Sequence, residues 1–147
     1  MDYPKPSITA DVILHEYHSD EIPLVKRLNE PFKSCWALPG GFFEPLNDAT
    51  IEDAAWREAR EEIFFDINLH PEVIERGFFN YFDQKDRDPR GRTITMVFYA
   101  HVKGKPNLVA RDDAEEVRWF SVHDLLTKTI PLAFDHQQII EQFFAGH

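Results

Sequence analysis

Segments typical of β-strands are interspersed along the chain with segments typical of α-helices, which is the pattern of a compact α/β (α+β) domain. A length of 147 residues fits one domain with a substantial hydrophobic core. The chain contains no internal repeat, linker or low-complexity tract. The sequence therefore predicts a single α/β (α+β) domain that spans residues 1–147.

The first third of the chain predicts three strands and the turn that follows them. β-Branched residues and apolar alternation predict strands over residues 7–16, 22–27 and 35–38. The third strand leads into Pro39-Gly40-Gly41, a turn whose glycines have no Cβ and therefore let the backbone approach a ligand closely. Thr50, with Asp53 three residues later, predicts an N-cap and a helix over residues 51–63.

The rest of the chain predicts three further strands and two further helices. Alternation predicts strands over residues 72–82, 92–102 and 117–121. The first two of these strands are separated by residues 83–91, a polar segment rich in turn-forming residues. Helices are predicted over residues 124–128 and over residues 133–145. The second is predicted from its apolar residues Phe134, Ile139, Ile140, Phe143 and Phe144.

The first predicted helix carries three carboxylates, Glu58, Glu61 and Glu62. Residues three and four apart share a helix face, so these side chains project in one direction, in line with small apolar residues one to two turns earlier. Carboxylates crowded on an inward face repel one another unless a cation neutralises them. Oxygen ligands at this spacing suit Mg²⁺ or Mn²⁺. The alternative is an exposed acidic helix whose partners are Arg57 and Arg60.

The glycine turn and the acidic helix together resemble the Nudix box. That motif reads glycine, five residues, glutamate, seven residues, and then Arg-Glu-apolar-any-Glu-Glu-any-Gly-apolar. Gly41 corresponds to its start, and the run from Arg57 to Glu62 corresponds to its catalytic half. The gap between these two parts is two residues longer than in the motif.

Two positions of the box depart from the motif. Ala49 stands where the motif has the glutamate that supports its arginine, and the candidates for this supporting role are Glu44, Asp48 and Asp53. Phe64 replaces the motif glycine, so the helix is expected to end without the usual left-handed cap. Neither change affects a presumed metal ligand.

The resemblance implies a Nudix fold, in which a mixed β-sheet is sandwiched between α-helices, and hydrolysis of a nucleoside diphosphate linked to another group. It also implies a divalent cation, Mg²⁺ or Mn²⁺, that neutralises the diphosphate and activates a water molecule. Its ligands would be Glu58, Glu61, Glu62 and the carbonyl of Gly40. Arg57 would orient these carboxylates by charge-assisted hydrogen bonds.

The general base is expected in an acidic cluster before the last predicted strand. This point of the chain matches the downstream loop that supplies a catalytic carboxylate in many members of the family. The alternative is a solvated loop with no contact to metal or water. The candidates are Asp112, Asp113, Glu115 and Glu116.

Two further stretches, RDPRGRTIT at residues 87–95 and LAFDHQQII at residues 132–140, resemble the ADP-ribose pyrophosphatase branch of the family. That branch also includes Nudix domains attached to nicotinamide mononucleotide adenylyltransferases and Nudix-related regulators of NAD metabolism. The resemblance implies hydrolysis of ADP-ribose to AMP and ribose 5-phosphate. Because arginine suits bidentate contact with anions, Arg27, Arg90 and Arg92 are candidate substrate ligands. Pairing of Arg90 or Arg92 with aspartates of their own loop is the alternative.

Several aromatic and histidine residues have two interpretations. An aromatic face for adenine and ordinary core packing both fit Phe32, Phe79, Tyr81 and Phe82. His136, next to Asp135, is either part of a functional pair or a histidine packed within its helix.

Two alternatives to an ADP-ribose hydrolase remain open. One is a Nudix hydrolase of NADH, a nucleotide sugar or a dinucleoside polyphosphate. The other is a non-catalytic, ligand-sensing regulator built on a Nudix domain. The acidic chain and the retained box glutamates favour an enzyme over the regulator.

Charge and composition limit the partners and the compartment. A net charge of −10 argues against binding to nucleic acid backbones. No apolar run reaches about 18 residues, and the N-terminus lacks a signal-peptide pattern, so no membrane partner is expected. The single cysteine, Cys35, excludes an internal disulfide and predicts a reducing cytoplasm. The sequence leaves the oligomeric state open, and a homodimer is one alternative.

Overall fold

The computed structural model describes residues 3–146, and within them one mixed sheet contains seven strands. The strands are β1 (Ser7–Glu16), β2 (Glu21–Arg27), β3 (Trp36–Ala37), β4 (Gly40–Phe42), β5 (Val73–Phe82), β6 (Thr93–Val102) and β7 (Ala114–Ser121). The helices are α1 (Ile51–Ile63), α2 (Val122–Leu126) and α3 (His136–Gly146), with a 3₁₀ turn at Ile67–Leu69. None of the helices within this part of the chain is long and apolar enough to cross a membrane.

The centre of the sheet is a parallel pair. The sheet order is β3-β2-β1-β6-β5, with β4 paired to β1 and β7 paired to β2. β1 and β6 run parallel from the pair Ser7 and Thr93 to the pair Glu16 and Val102, whereas the other pairs are antiparallel. The predicted α/β (α+β) class is therefore confirmed, and the sheet is mixed.

β1 divides the core into two apolar layers because successive side chains of a strand point to opposite faces. Val12 and Leu14 pack in one layer, with the alanines and Ile63 of α1. Ile13 packs in the other layer, with residues of α2 and α3. The sheet therefore lies between α1 on one face and the two C-terminal helices on the other.

The predicted elements agree with the structure to within two residues at each end, as for α2, predicted at residues 124–128 and observed at Val122–Leu126, with three exceptions. β7 begins at Ala114 rather than at residue 117, because it continues to pair with β2 as far as Arg27. α3 begins at His136 rather than at residue 133, because the residues before it run alongside Trp36. Residues 40–42, predicted as part of a turn, form β4 against β1. Glycines give no side-chain alternation, so the sequence pattern does not identify this strand.

The expectation that α1 ends without a left-handed cap is wrong. Phe64 itself takes the left-handed conformation, with φ 60° and ψ 32°, and its N–H donates to the carbonyl of Ala59. This conformation costs a residue with a Cβ about 1–2 kcal/mol. The Arg111 guanidinium lies 4.7 Å from the centre of the Phe64 ring, a cation–π contact that offsets part of the cost.

The cap predicts an unusual order of stability between two variants. Phe64→Gly and Phe64→Ala both lose the ring contact, but only glycine relieves the left-handed backbone. We therefore expect Phe64→Gly to be more stable than Phe64→Ala by about 1 kcal/mol, although glycine is ordinarily the worse residue in a helix. Denaturant unfolding of both variants measures this difference. Equal stability, or a more stable alanine variant, would contradict the cap.

Candidate functional site

A cleft of about 310 Å³ opens between α1, the glycine strand β4, the polar segment 83–92 and the start of α3. Six of the residues selected from the sequence line it: Arg27, Gly40, Glu58, Glu62, Arg90 and Asp113. The others lie outside its lining: Arg57, Glu61, Arg92, Asp112, Glu115 and Glu116. The cleft therefore brings together six candidates that are up to 86 positions apart in the chain, from Arg27 to Asp113.

The glycine backbone of β4 lies directly against the carboxylates of α1. The Gly40 N–H donates to Glu62 Oε1 over 3.1 Å. A Cβ on Gly41 would lie 2.6 Å from the Glu58 carboxylate, and a Cβ on Gly40 would overlap Asp11. Gly40 consequently needs to be glycine, because the backbone of β1 occupies that space, whereas a side chain at Gly41 would displace the Glu58 carboxylate. The two carboxylates lie directly against the β4 backbone.

Burial of the two glutamates has a large electrostatic cost. The pKa of Glu62 is raised to about 8, chiefly by burial and also by the neighbouring charges of Glu58, Asp11 and Asp113, while the bond from Gly40 opposes the shift. The pKa of Glu58 is also raised by burial, against the lowering effect of Arg57. A cation at this end of the cleft would favour the charged forms of both side chains.

The donor set fits a hard divalent cation. The Glu58 and Glu62 carboxylates are oxygen ligands of the kind that Mg²⁺ and Mn²⁺ prefer. The Gly40 carbonyl belongs to β4, the strand that lies against these carboxylates. Within residues 3–146 no three carboxylate, imidazole or thiol side chains already converge as in a formed metal site. Glu61 is turned away, with its side chain 43% exposed and bonded to Arg57. The metal-binding roles stay predictions.

Arg57 holds the acidic residues in place from behind the cleft. Its guanidinium makes a bidentate pair with Asp48, with bonds of 2.8 and 3.0 Å. It also bonds to Glu58 at 2.8 Å and to the Phe42 carbonyl at 3.0 Å. These contacts raise the pKa of Arg57, and the hydrogen bonds from Arg57 are the main cause of the lowered pKa of Asp48. Arg57 therefore joins α1 to the end of β4.

Two of the three candidates for the missing box glutamate contact Arg57. Asp48 makes the bidentate pair, and Glu44 lies 3.2 Å from the guanidinium. Asp53 forms no ion pair with Arg57 among the described residues, and its backbone N–H instead bonds to Thr50 at the start of α1. The loop before α1 thus supplies a carboxylate that a motif with fixed spacing does not identify.

The opposite side of the cleft carries two arginines beside an aromatic ring. The guanidinium carbons of Arg27 and Arg90 lie 5.0 and 5.4 Å from the centre of the Phe134 ring. Arg90 is also 4.9 Å from the centre of the Phe42 ring and makes a bidentate pair with Asp88. The positive charge of Arg90 contributes to lowering the pKa of Arg27, after burial. Two neighbouring cations of this kind favour an anionic ligand.

Two of the four aromatic candidates belong to the core. Phe79 and Phe82 pack in the layer below α3. Tyr81 is exposed on β5, and Phe32 packs edge-on against Phe134 at 4.9 Å. The aromatic rings that line the cleft are instead those of Phe42 and Phe134.

Sequence reasoning missed two charged residues that are buried in or beside the cleft. Asp11 lies on β1 and accepts a 2.6 Å hydrogen bond from Thr95. Its signal was an aspartate placed between the apolar residues Ala10 and Val12 of a predicted strand. Arg87 makes a bidentate pair with Asp135, at 2.9 and 2.7 Å, and this pair fixes the polar segment 83–92 to the start of α3.

Comparison with known proteins identifies similar sequences along nearly the whole chain. The NUDIX domain model matches residues 5–143. The chain is 40% identical, over 96% of its length and 75% of the relative's, to an ADP-ribose pyrophosphatase of Methanocaldococcus jannaschii. It is 31% identical, over 98% of its length and 55% of the relative's, to the ADPR responsive transcriptional repressor NtrR of Acinetobacter baylyi.

Two solved structures with bound ligands resemble the fold closely. One is the NUDIX domain of Shewanella oneidensis NrtR complexed with ADP ribose, with a TM-score of 0.84 and 29% identity over 98% of this chain and 90% of that one. The other is a bifunctional NMN adenylyltransferase/ADP ribose pyrophosphatase of Francisella tularensis complexed with AMP and a Mn ion. Its TM-score is 0.83, with 31% identity over 99% of this chain and 43% of that one.

The contacts of Arg57 predict a difference between two aspartates of the same region. Asp48→Asn keeps the side-chain volume but removes the charge that holds Arg57, so we expect kcat/KM for the hydrolysed substrate to fall about 10- to 100-fold. Asp53→Asn is the matched control and should retain nearly full activity. Steady-state kinetics on both variants test the assignment. Equal losses, or a loss confined to Asp53→Asn, would refute it.

Proposed function

This chain belongs to the NUDIX domain family, and from that premise we propose that it is a divalent-metal-dependent pyrophosphohydrolase that cleaves ADP-ribose to AMP and ribose 5-phosphate. One observation carries the proposal. Glu58 and Glu62 are held against a glycine strand at one end of a cleft, and Arg27 and Arg90 line the same cleft. A diphosphate with two organic ends fits this arrangement of charges.

We assign the metal to the acidic end of the cleft, with Mg²⁺ as the resident ion and Mn²⁺ as a substitute. The bound ion would neutralise the diphosphate oxygens and lower the pKa of a coordinated water. Glu58, Glu62 and the Gly40 carbonyl would hold it, and Arg57 would keep Glu58 in its orientation through the 2.8 Å bond. Asp113, the member of the acidic cluster that lines the cleft, is our candidate for the general base.

The substrate's anionic centre would lie between the acidic end and the two arginines. Arg27 is half-buried and donates to the Pro31 carbonyl at 2.7 Å, so its position is fixed before a ligand binds. Arg90 is exposed and is oriented by Asp88. Identity of 40% to an ADP-ribose pyrophosphatase and the fold's likeness to a domain complexed with ADP ribose support ADP-ribose as the ligand.

A second candidate function is ADP-ribose sensing without hydrolysis, which the likeness to the NtrR repressor supports. Both candidates need the same ligand, so binding alone does not distinguish them. The test is a panel of ADP-ribose, NADH, a nucleotide sugar and a dinucleoside polyphosphate, incubated with Mg²⁺ or Mn²⁺ and analysed for products. Release of AMP from ADP-ribose supports the enzyme. Tight ADP-ribose binding with no product would support the sensor.

Glu62 gives a test of the metal assignment. Glu62→Gln keeps the side-chain volume and its acceptor for the Gly40 N–H but removes the charge, so we expect kcat to fall at least ~100-fold under saturating Mg²⁺. Without metal the variant should be more stable than the parent protein at pH 8. The folded-state pKa of Glu62 is raised to about 8, so its ionisation destabilises the fold progressively as the pH rises from the unfolded value of 4.5.

Thermal unfolding in EDTA, at intervals from pH 5 to pH 8.5, measures this difference. The parent and the variant should unfold at similar temperatures at pH 5 and should diverge towards pH 8. Added Mg²⁺ should stabilise the parent and have little effect on the variant. Wild-type turnover by Glu62→Gln would disprove the metal assignment, and a constant temperature difference across the pH range would disprove the burial argument.

Two nearby arginines provide a matched test of the substrate end. Arg90 lines the cleft, whereas Arg92 is exposed outside its lining. A bidentate contact with an anion contributes about 1.5–3 kcal/mol, so Arg90→Ala should raise KM for ADP-ribose about 10- to 100-fold. Arg92→Ala should leave KM unchanged. Neither substitution should change the affinity for Mn²⁺. An effect of Arg92→Ala alone would mean that the substrate binds to another face of the protein.

A further inference from the structure

The segment that precedes α3, residues 131–136, is attached directly to the strand that leads into the glycines. The Trp36 N–H donates to the Pro131 carbonyl at 3.2 Å, and the Ala133 N–H donates to the Trp36 carbonyl at 2.8 Å. The next contact along the two segments is from the Leu38 N–H to Nδ1 of His136, at 3.0 Å. Residues 131–136 therefore run beside residues 36–38 like a further strand that ends in a histidine.

The bond to Leu38 fixes the chemical state of the histidine. His136 is 3% exposed, and its Nδ1 accepts a hydrogen from a buried backbone donor. A ring nitrogen that accepts carries no proton, so His136 is neutral and its proton is on Nε2. Burial also lowers its pKa. Nε2 faces Asp11 at 3.7 Å, which is too long for a direct hydrogen bond.

The contact with Leu38 lies two residues before Gly40, where the backbone turns into the metal-binding end of the cleft. The Pro39 carbonyl accepts from the Val12 N–H at 2.8 Å, and the Gly40 N–H donates to Glu62. These contacts hold successive residues of the connection from β3 to β4 on β1, α1 and α3. Without an acceptor at His136, the buried Leu38 N–H would have to rotate towards another partner and move the Gly40 carbonyl with it.

We propose that His136 is a positioning residue for the metal end of the cleft, acting through Nδ1 on the Leu38 backbone rather than through contact with the ligand. This inference rests on the proposed metal-dependent hydrolysis. It assigns to His136 the task of placing the Gly40 carbonyl at a fixed distance from Glu62. The bond from the Leu38 N–H to His136 resembles the hydrogen bonds that orient metal ligands in other proteins without touching the metal.

The neighbouring residue of the same segment has a different target. Asp135 pairs with Arg87, whose side chain is 3% exposed, and so it fixes the polar segment that carries Arg90. His136 and Asp135 are thus adjacent in the chain but support different parts of the cleft. His136 supports its metal end, and Asp135 supports the polar segment that carries Arg90. Asp135→Asn, which weakens the pair with Arg87, is therefore a matched control for substitution of His136.

Two substitutions distinguish a role of Nδ1 from a role of Nε2. His136→Asn places an amide oxygen near the position of Nδ1 and can still accept from Leu38, whereas His136→Gln places its amide near Nε2 and leaves the Leu38 N–H without an acceptor. The probe is Mn²⁺ alone, titrated into the metal-free full chain and followed by electron paramagnetic resonance. Circular dichroism and thermal unfolding confirm that each variant is folded, and kcat and KM for ADP-ribose are then measured with saturating metal.

We expect His136→Gln to bind Mn²⁺ about 10- to 100-fold more weakly than the parent protein, with a reduced kcat. His136→Asn should recover most of the affinity and the turnover, and Asp135→Asn should keep the Mn²⁺ affinity while raising KM. The reverse order of the two His136 variants would mean that Nε2 contacts the ligand and would overturn the inference. Parental Mn²⁺ affinity in both variants would also overturn it. If the parent protein binds Mn²⁺ and the variants follow the expected order but ADP-ribose is not hydrolysed, the proposed function fails and the positioning role stands.

Discussion

The contact between the Gly40 N–H and the buried Glu62 carboxylate is the constraint on which the cleft depends. A buried carboxylate needs hydrogen-bond donors or a cation, and among residues 3–146 this one has one backbone donor, the Gly40 N–H, and the acidic neighbours Glu58, Asp11 and Asp113. The two glycines of β4 have different neighbours: a Cβ on Gly41 would meet the Glu58 carboxylate of α1, whereas a Cβ on Gly40 would meet Ala10 and Asp11 of β1. Burial of the Glu62 carboxylate makes the fold less stable at neutral pH, so binding of the proposed cation would be thermodynamically coupled to folding. The site is consequently built at the expense of stability.

Arg57 and the segment before α3 reduce that cost by fixing the parts that surround Glu62. The Arg57 guanidinium supplies positive charge to Asp48 and Glu58 and bonds to the backbone after the glycines. On the other side, α3 is anchored through His136 to Leu38. The segment from Leu38 to Phe42 is therefore held by polar contacts at both of its ends. Such contacts would hold the proposed metal ligands in place while the carboxylates are still repelling one another.

The parts of the site that follow a periodic pattern could be predicted from the sequence, and the parts that depend on tertiary contacts could not. Helical spacing predicts α1 and the common face of its carboxylates, and the observed bounds of α1 agree with residues 51–63. Local pattern gives no information about the partner of Arg57, because Asp48 reaches it from a loop. The contrast between Arg90 and Arg92 depends on how the polar segment is folded by the Arg87–Asp135 pair. The left-handed cap at Phe64 shows the same limit, since a tertiary contact with Arg111 accompanies a conformation that residue preference disfavours.

Likeness to both a pyrophosphatase and an ADP-ribose-responsive repressor has a simple physical basis. Binding a diphosphate requires cationic side chains and a cleft, and Arg27 and Arg90, which line the cleft, would supply the former regardless of catalysis. Hydrolysis additionally requires carboxylates that are buried and close to the backbone of β4, where a cation can be held against the diphosphate. A protein that only senses the ligand gains nothing from a carboxylate at Glu62, because its burial destabilises the fold and its negative charge repels an anion. Retention of this costly carboxylate beside Gly40 is therefore the feature that favours an enzyme over a sensor.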